Sequence, residues 1–228
     1  MEKSPPHYIG HRKRSRQKYL REGISGWHDY EILELLLYYP IPRKDTKLLA
    51  KNLLKKFKTV SRVLNADIKE LREVDGISDN TAVFLKLMQD ITVLCRHEEL
   101  DGRDLLNSPG LVSEYLKSSL KYSPDEEFRV LFLNTRNRLI EAETLHTGTV
   151  NRSVVYPRKV VERALYHHAA GVILSHNHPA GSLSPSPDDI EATKSIRKAL
   201  DTVDINLLDH VIIGGNGYFS FAENGIDF

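Results

Sequence analysis

The spacing of apolar residues changes once along the chain, and this change constrains the fold more than any other feature. Up to about residue 100, apolar residues recur every three or four positions, as Leu33, Leu36 and Leu37 do, which is the period of an amphipathic helix. Short apolar runs typical of strands, such as 128–134 and 171–176, then alternate with helical patterns. The sequence therefore predicts a small all-α module followed by a compact α/β domain.

Composition divides the chain further. Residues 1–21 contain seven basic side chains and one acidic side chain, which predicts a mobile basic arm. Residues 22–100 are expected to form the helical module and residues 104–228 the α/β domain. The charged stretch HEELDGRD, residues 97–104, has no apolar periodicity and is expected to link the two. In the second half we expect helices over 108–120, 157–168 and 187–200 and strands over 128–134, 139–146, 171–176, 206–213 and 218–221.

Charge and cysteine content limit the class of protein. The 32 lysine and arginine residues nearly balance 31 acidic residues, but residues 1–100 hold 19 basic and 14 acidic side chains, so this half can face an anion. Cys95 is the single cysteine of the sequence, which excludes an internal disulfide, and we expect a buried thiol in a reducing compartment. The sequence shows neither a signal-like apolar core nor about 18 consecutive apolar residues. We expect a soluble cytoplasmic protein with no membrane partner.

The segment SHNHPAGSLSPSPDD, residues 175–189, concentrates residue types that bind metals. Alternate side chains of a strand lie on one face, so His176 and His178 point to a common side. Ser186, followed by proline, predicts the start of a helix whose first turn contains Asp189. Two imidazoles and a carboxylate suit Zn²⁺ and leave a fourth position for water, as in catalytic zinc sites. The spacing also permits a second interpretation, in which Asp189 only completes a capping box with Ser186.

The run from His176 to Asp189 resembles the metal-binding signature of the JAB/MPN/JAMM metalloprotease superfamily, which is His-x-His, seven residues, Ser, two residues and Asp. Its HNHPxGxxxPS form resembles the bacterial RadC family. The resemblance implies a JAB-like fold with a cytidine-deaminase-like sheet and flanking helices, which binds one Zn²⁺ through His176, His178 and Asp189. Further segments that resemble the family are LFLNTRNRLI (131–140), TGT (147–149), VVYPRKVVERAL (154–165) and LLDHVIIG (207–214).

The superfamily resemblance also implies a glutamate general base on an upstream strand and a serine that helps to hold the oxyanion, which is Ser186 here. Glu141 and Glu143 are two positions apart and share a strand face. Alignment by eye with the family favours Glu143, and Glu141 stays open as the alternative. A further interpretation leaves both as solvent-facing strand residues. A base is chemically required because zinc lowers the pKa of its water and a carboxylate can accept the released proton.

Three other histidines fall in the α/β domain. His167 and His168 are neighbours on a predicted helix and point in different directions, so we interpret them as surface or packing residues. His210 follows an aspartate in a predicted strand, where a structural role is expected and a position behind the metal ligands is the alternative.

The stretch LREVDGISDNTA, residues 71–82, resembles a helix-hairpin-helix motif, whose turn presents backbone N–H groups to a DNA phosphate. Ser78 replaces the usual second glycine, and Asp79 adds a negative charge beside that phosphate. A lysine-rich helix precedes the motif, and its lysines either contact phosphates or form a solvated face. Helix packing and DNA binding both remain open for this module.

These observations support a zinc-dependent hydrolase of JAMM type that cleaves a peptide or isopeptide bond in a protein or peptide substrate. The alternative, which the RadC resemblance implies, is a DNA-associated repair or recombination accessory protein with a structural or vestigial metal site. A nuclease is less well supported, because the ligands suggest one zinc rather than a carboxylate-rich pair of magnesium ions. The sequence defines neither the natural substrate nor the oligomeric state.

Overall fold

The computed structural model describes residues 10–148 and 156–228, which form two compact units. One unit ends at Asp90 and the other begins at Ile91, so the division falls inside a helix and not near residue 100. Residues 1–9 of the expected arm, and parts of the segments 147–149 and 154–165, lie outside the described residues. Among the described residues, no helix is long and apolar enough to cross a membrane.

The first unit is helical, as the apolar spacing predicts. Its core is built from leucines that the periodic pattern places on inward faces, among them Leu33, Leu53, Leu71 and Leu85, all with no exposed surface. The helices are α1 (His11–Glu22), α2 (Asp29–Leu37), α3 (Lys47–Phe57), α4 (Val60–Asn65), α5 (Ile68–Arg72) and α6 (Asp79–Glu98), of which α6 continues past the division between the units.

Residues 11–22 form α1 where the sequence predicts a mobile arm. Arg12 donates a hydrogen bond of 3.2 Å to the carbonyl oxygen of Tyr38, just past the end of α2, and its guanidinium lies 4.5 Å from the centre of the Tyr38 ring. His11 Nε2 is 2.9 Å from Oε1 of Glu34, whose side chain is buried. Residues 11–22 are ordered because they supply polar partners to a carbonyl at a helix end and to a buried carboxylate.

The second unit contains a five-stranded sheet in the order β2-β1-β3-β4-β5. The pair β3 and β4 is parallel, and the other neighbouring pairs are antiparallel. This mixed α/β architecture after a helical region confirms the predicted fold class. The elements are α7 (Pro109–Leu120), β1 (Glu126–Leu133), β2 (Leu139–Gly148), α8 (Pro157–Tyr166), β3 (Gly171–His178), α9 (Pro187–Asp201), β4 (Asn206–Gly214) and β5 (Gly217–Ser220).

Helices cover both faces of this sheet. On one face, Val112 and Leu116 of α7 pack against inward residues such as Ile173. On the other face, Val160 of α8 and Ile196 of α9 pack against a second set of strand residues. The strand β3 is apolar on both faces for this reason, which is why the sequence shows an unbroken apolar run there.

Two local expectations are wrong. The expected linker, residues 97–104, contains Leu100, which has no exposed surface and packs with Leu105 in the core next to α7. Because charged residues surround this single buried leucine in the sequence, the pattern alone indicates a solvent-exposed segment. Cys95 is exposed and not buried. The run 91–95 is apolar on nearly every side of α6, so its pattern does not identify the inward face.

Candidate metal centre

The three side chains that the sequence predicts as ligands meet at the end of β3. His176 Nε2 lies 2.9 Å from His178 Nε2 and 3.3 Å from Asp189 Oδ1, and His178 Nε2 lies 3.5 Å from Asp189 Oδ2. Both histidines are on the sheet face that α9 covers, because they are two residues apart on one strand. The loop after β3 then brings the first turn of α9 back to them.

The start of α9 fixes the carboxylate. Ser186 is the N-cap, with proline at the first helical position, and its Oγ accepts a hydrogen bond of 3.1 Å from the Asp189 backbone N–H. The Ser186 N–H and hydroxyl both donate to Asp189 Oδ2, each at 2.7 Å. The capping box is therefore formed, and it leaves Asp189 Oδ1 directed at His176. Capping and metal binding are compatible functions of this aspartate.

The His178 ring is oriented by the loop that follows β3. Its Nδ1 lies 3.1 Å from the carbonyl oxygen of Ser182, which can only accept a hydrogen bond, so the ring proton is on Nδ1 and Nε2 faces the other ligands. Gly214, the β4 residue that pairs with His178, makes room for this carbonyl. A Cβ atom at position 214 would lie 2.2 Å from the Ser182 oxygen, so only glycine fits there.

The electrostatics of the three groups favour a positive charge where they converge. Burial lowers the pKa of His176 to about 4, so this imidazole is neutral. The hydrogen bond with Asp189 raises the pKa of His178. Burial alone would raise the pKa of Asp189, but its contacts with the histidines and Ser186 hold it well below the usual range. A proton or a metal ion can supply the positive charge that the carboxylate and the two imidazoles attract.

The donor set fits a zinc ion. Zinc with bonds of about 2.0–2.1 Å in tetrahedral geometry holds its ligand atoms about 3.3 Å apart. His176 Nε2 lies 2.9 Å from His178 Nε2 and 3.3 Å from Asp189 Oδ1, and both separations are close to that value. Two imidazole nitrogens and one carboxylate oxygen also match the chemical preference of zinc.

A cavity of about 910 Å³ opens onto the three side chains. Ser186 lines this cavity, as expected for a residue that contacts a substrate, and so does Glu126 at the start of β1. Glu126 precedes Phe128 by two residues on the same strand face, and Phe128 pairs with His176 across β1 and β3. Burial raises the pKa of Glu126, and the charge of His178 opposes this shift.

Asn177 holds the backbone on either side of Glu126. Its Oδ1 accepts a hydrogen bond of 2.8 Å from the Glu127 N–H, and its Nδ2 donates one of 3.0 Å to the Asp125 carbonyl. Asn177 faces away from the two histidines, as the strand alternation predicts. Asn177, the residue between the two histidines, thus fixes the backbone on either side of Glu126.

Glu143, the glutamate favoured by the alignment, does not line the cavity. Its carboxylate accepts a hydrogen bond of 2.7 Å from Arg163 Nε and also contacts Arg163 Nη2 and His167 Nε2. The hydrogen bonds from Arg163 lower the pKa of Glu143 to about 2. This carboxylate is held by an ion pair and is a poor proton acceptor. Glu141 is exposed and does not line the cavity either.

The other histidines have separate environments. His167 binds Glu143 and stacks on Phe132 at a ring distance of 4.8 Å, and His168 is exposed, so packing and surface roles describe them. His210 is buried directly behind His176, with a distance of 2.8 Å between His210 Nε2 and His176 Nδ1. The sequence offers this position only as the alternative, because it does not show which strand pairs with β4.

The sheet, its covering helices and the His-x-His and aspartate cluster together match a JAB-like domain. The family model described as "RadC-like JAB domain" matches residues 106–226, and the chain belongs to the RadC family. The curated UPF0758 protein FN0909 of Fusobacterium nucleatum subsp. nucleatum is 41% identical over 224 residues, which cover 95% of this chain and 97% of that protein. These matches confirm the resemblance of the sequence to the RadC family.

Proposed function

We propose that this protein is a zinc-dependent hydrolase of JAMM type that cleaves a peptide or isopeptide bond in a protein or peptide substrate. One observation carries the proposal: His176, His178 and Asp189 converge at a cavity that also presents Glu126 and Ser186. A purely structural zinc site is closed by four protein ligands, whereas a catalytic site has three and keeps a position open. A set of three ligands beside an open cavity corresponds to a catalytic zinc site.

The metal would be held by His176, His178 and Asp189, and when bound it would supply Lewis-acid activation of water and of the scissile carbonyl. Glu126 serves as the general base in place of Glu143. Its carboxylate takes the proton from the attacking water and passes it to the leaving amine. The raised pKa of Glu126 suits this task, because a carboxyl whose pKa is shifted toward neutral pH can both accept a proton and give it up again.

Ser186 is proposed to help hold the oxyanion that forms on the attacked carbonyl. Its hydroxyl now donates to Asp189 Oδ2 and accepts from the Asp189 N–H. Rotation about the Cβ–Oγ bond turns the hydroxyl hydrogen toward the cavity while the bond from the Asp189 N–H is kept. Ser186 can therefore donate to the oxyanion without loss of the N-cap of α9.

An unbiased hydrolysis screen tests the proposal. The full chain, loaded with zinc, is incubated with a peptide library and with isopeptide-linked peptides, and the products are identified by mass spectrometry. We expect cleavage that a chelator abolishes and added zinc restores, because the reaction needs the metal at the three ligands. A protein that holds one zinc per chain and cleaves neither library would contradict the proposal and support a structural metal.

Contact with DNA phosphates through the first unit is a second candidate function. It is favoured by one exposed surface, which carries Lys51 and Lys55 of α3 and Lys58 just after the end of that helix. Lys51 Nζ lies 5.0 Å from the ring centre of Tyr30, so an aromatic side chain borders the lysines. This candidate corresponds to an accessory role in DNA repair or recombination.

We expect binding of the full chain to duplex or branched DNA to weaken steeply with salt, because each neutralised phosphate releases condensed counterion. The triple variant Lys51→Gln, Lys55→Gln and Lys58→Gln should flatten the plot of log K against log salt by up to about 0.9 per lysine removed. The double variant Lys194→Gln and Lys198→Gln on α9 is the control for loss of charge alone. If the wild type does not bind DNA at low salt, or if the salt dependence has the same slope in the wild type and both variants, these lysines are not a DNA-binding surface.

A further inference from the structure

A buried chain of hydrogen bonds lies behind the metal centre. His176 Nδ1 is 2.8 Å from His210 Nε2, and His210 Nδ1 is 2.7 Å from Thr193 Oγ1. Thr193 Oγ1 in turn donates a hydrogen bond of 2.5 Å to the backbone carbonyl of Asp189. The chain begins at one proposed ligand and ends on the backbone of another, and β3, β4 and α9 each contribute one side chain.

The Asp189 carbonyl, at which this series of hydrogen bonds ends, determines the donor and the acceptor of each bond. A carbonyl oxygen can only accept, so Thr193 gives its hydroxyl proton to Asp189 and its Oγ accepts from His210 Nδ1–H. A neutral His210 has one ring proton, so its Nε2 accepts from His176 Nδ1–H. His176 is then left with a lone pair on Nε2, the atom that faces His178 and the Asp189 carboxylate.

The His210 ring has the environment that this assignment requires. It is 2% exposed and lies against the ring of Phe221, with a centroid distance of 4.8 Å and an interplanar angle of 28°. The Phe128 ring packs edge-on against another side of the His210 ring, with a distance of 6.0 Å between the ring centroids. An imidazolium buried between aromatic rings would be strongly disfavoured, so His210 is neutral, and close packing prevents the ring from turning over.

His176 and His178 both carry their ring proton on Nδ1, but different neighbours fix it there. His178 is partly exposed, and the Ser182 carbonyl fixes its Nδ1 proton directly. His176 is 2% exposed, and its Nδ1 faces the imidazole of His210. An imidazole can accept or donate, so His210 alone does not fix the proton on His176. Thr193 removes this ambiguity, because its own proton is committed to the backbone.

We propose that His210 and Thr193 are positioning residues of the metal centre, which fix the tautomer and the ring orientation of His176 so that its Nε2 lone pair faces the cation. The proposal rests on the zinc site of the proposed function and goes further, because it assigns the site two residues outside the three ligands. Groups that hold a ligand histidine in this way commonly change metal affinity by about 10-fold to 100-fold when they are removed.

Zinc affinity of the full chain tests the proposal, measured by competition with a chromophoric chelator. Thr193→Val keeps the shape but removes the hydroxyl, and His210→Leu removes the acceptor. We expect each to weaken zinc binding about 10-fold to 100-fold and to alter the visible absorption of the Co²⁺-substituted protein. His210→Gln restores an acceptor near the Nε2 position and should lose less affinity than His210→Leu. Thr81→Val, at another threonine with no exposed surface, should bind zinc as the wild type does.

The outcomes separate this proposal from the proposed function. Wild-type zinc affinity and Co²⁺ spectrum in folded Thr193→Val and His210→Gln, or equal affinities in His210→Gln and His210→Leu, would overturn the positioning role and leave hydrolysis intact. Weak zinc binding by the variants in a protein that cleaves no substrate would support the positioning role and contradict the hydrolase. A wild type that binds no zinc would overturn both.

Discussion

Replacement of Glu126 by glutamine is expected to lower kcat by about 10² to 10⁴, the range typical for loss of a general base. Glu126→Gln keeps the shape of the side chain and a hydrogen-bonding group, but it removes the basic oxygen from the cavity beside His178. Zinc content should be unchanged, because Glu126 is not one of the three converging ligands. The measurement is kcat on a substrate found in the hydrolysis screen, with zinc per chain determined on the same samples.

Glu143→Gln is the matched control, since it makes the same chemical change on a strand of the same sheet. We expect full kcat and zinc content but a free energy of unfolding lower by up to about 1 kcal/mol, because Arg163 loses a charged partner in an ion pair that solvent partly screens. Glu143 has a lowered pKa, so its stabilisation is present above the pKa of the unfolded state and is lost as the pH falls toward about 2. The stability difference should therefore shrink below about pH 4.5. Full activity of Glu126→Gln with a loss in Glu143→Gln would restore Glu143 as the base.

Removal of both histidines is expected to abolish stoichiometric zinc binding. Protein purified without added metal should contain about one zinc per chain, and the double variant His176→Ala and His178→Ala should contain almost none, because one carboxylate cannot hold the ion. Elemental analysis of both proteins provides the measurement. His168→Asn is the control, since His168 is exposed with a φ of 51°, which asparagine tolerates. Wild-type zinc in the double variant would show that the metal is bound elsewhere.

Local patterns predicted the elements of the fold well, and the exceptions have a common cause. Every strand expected in the second half is present within a few residues of its expected bounds, because most of these strands are short apolar runs between turn signals. The sequence HRKRSRQKYLRE of α1 has no such apolar pattern. That helix is held by Arg12 and His11 through polar contacts with residues more than 20 positions away. Polar contacts between residues far apart in sequence cannot be predicted from a pattern of hydrophobicity.

The candidate site divides in the same way. His176 and His178 lie on one strand, and Asp189 lies in the first turn of the helix that follows in sequence, so local rules bring the three together. Glu126 and His210 depend on pairing between strands. Glu126 reaches the site because β1 runs antiparallel to β3 with Phe128 opposite His176, and His210 because β4 lies parallel to β3. No short segment contains that register, so local sequence patterns do not place a glutamate of β1 beside the two histidines.

The contact between Gly214 and Ser182 has a consequence for engineering. The proposed metal-binding segment cannot be transferred alone to another protein, because the Ser182 carbonyl that orients His178 occupies the space that a side chain at position 214 would fill. A graft of residues 175–189 onto another sheet would misplace one ligand unless the neighbouring parallel strand also ended in glycine. The smallest transplantable unit is therefore the strand, its loop and that glycine together.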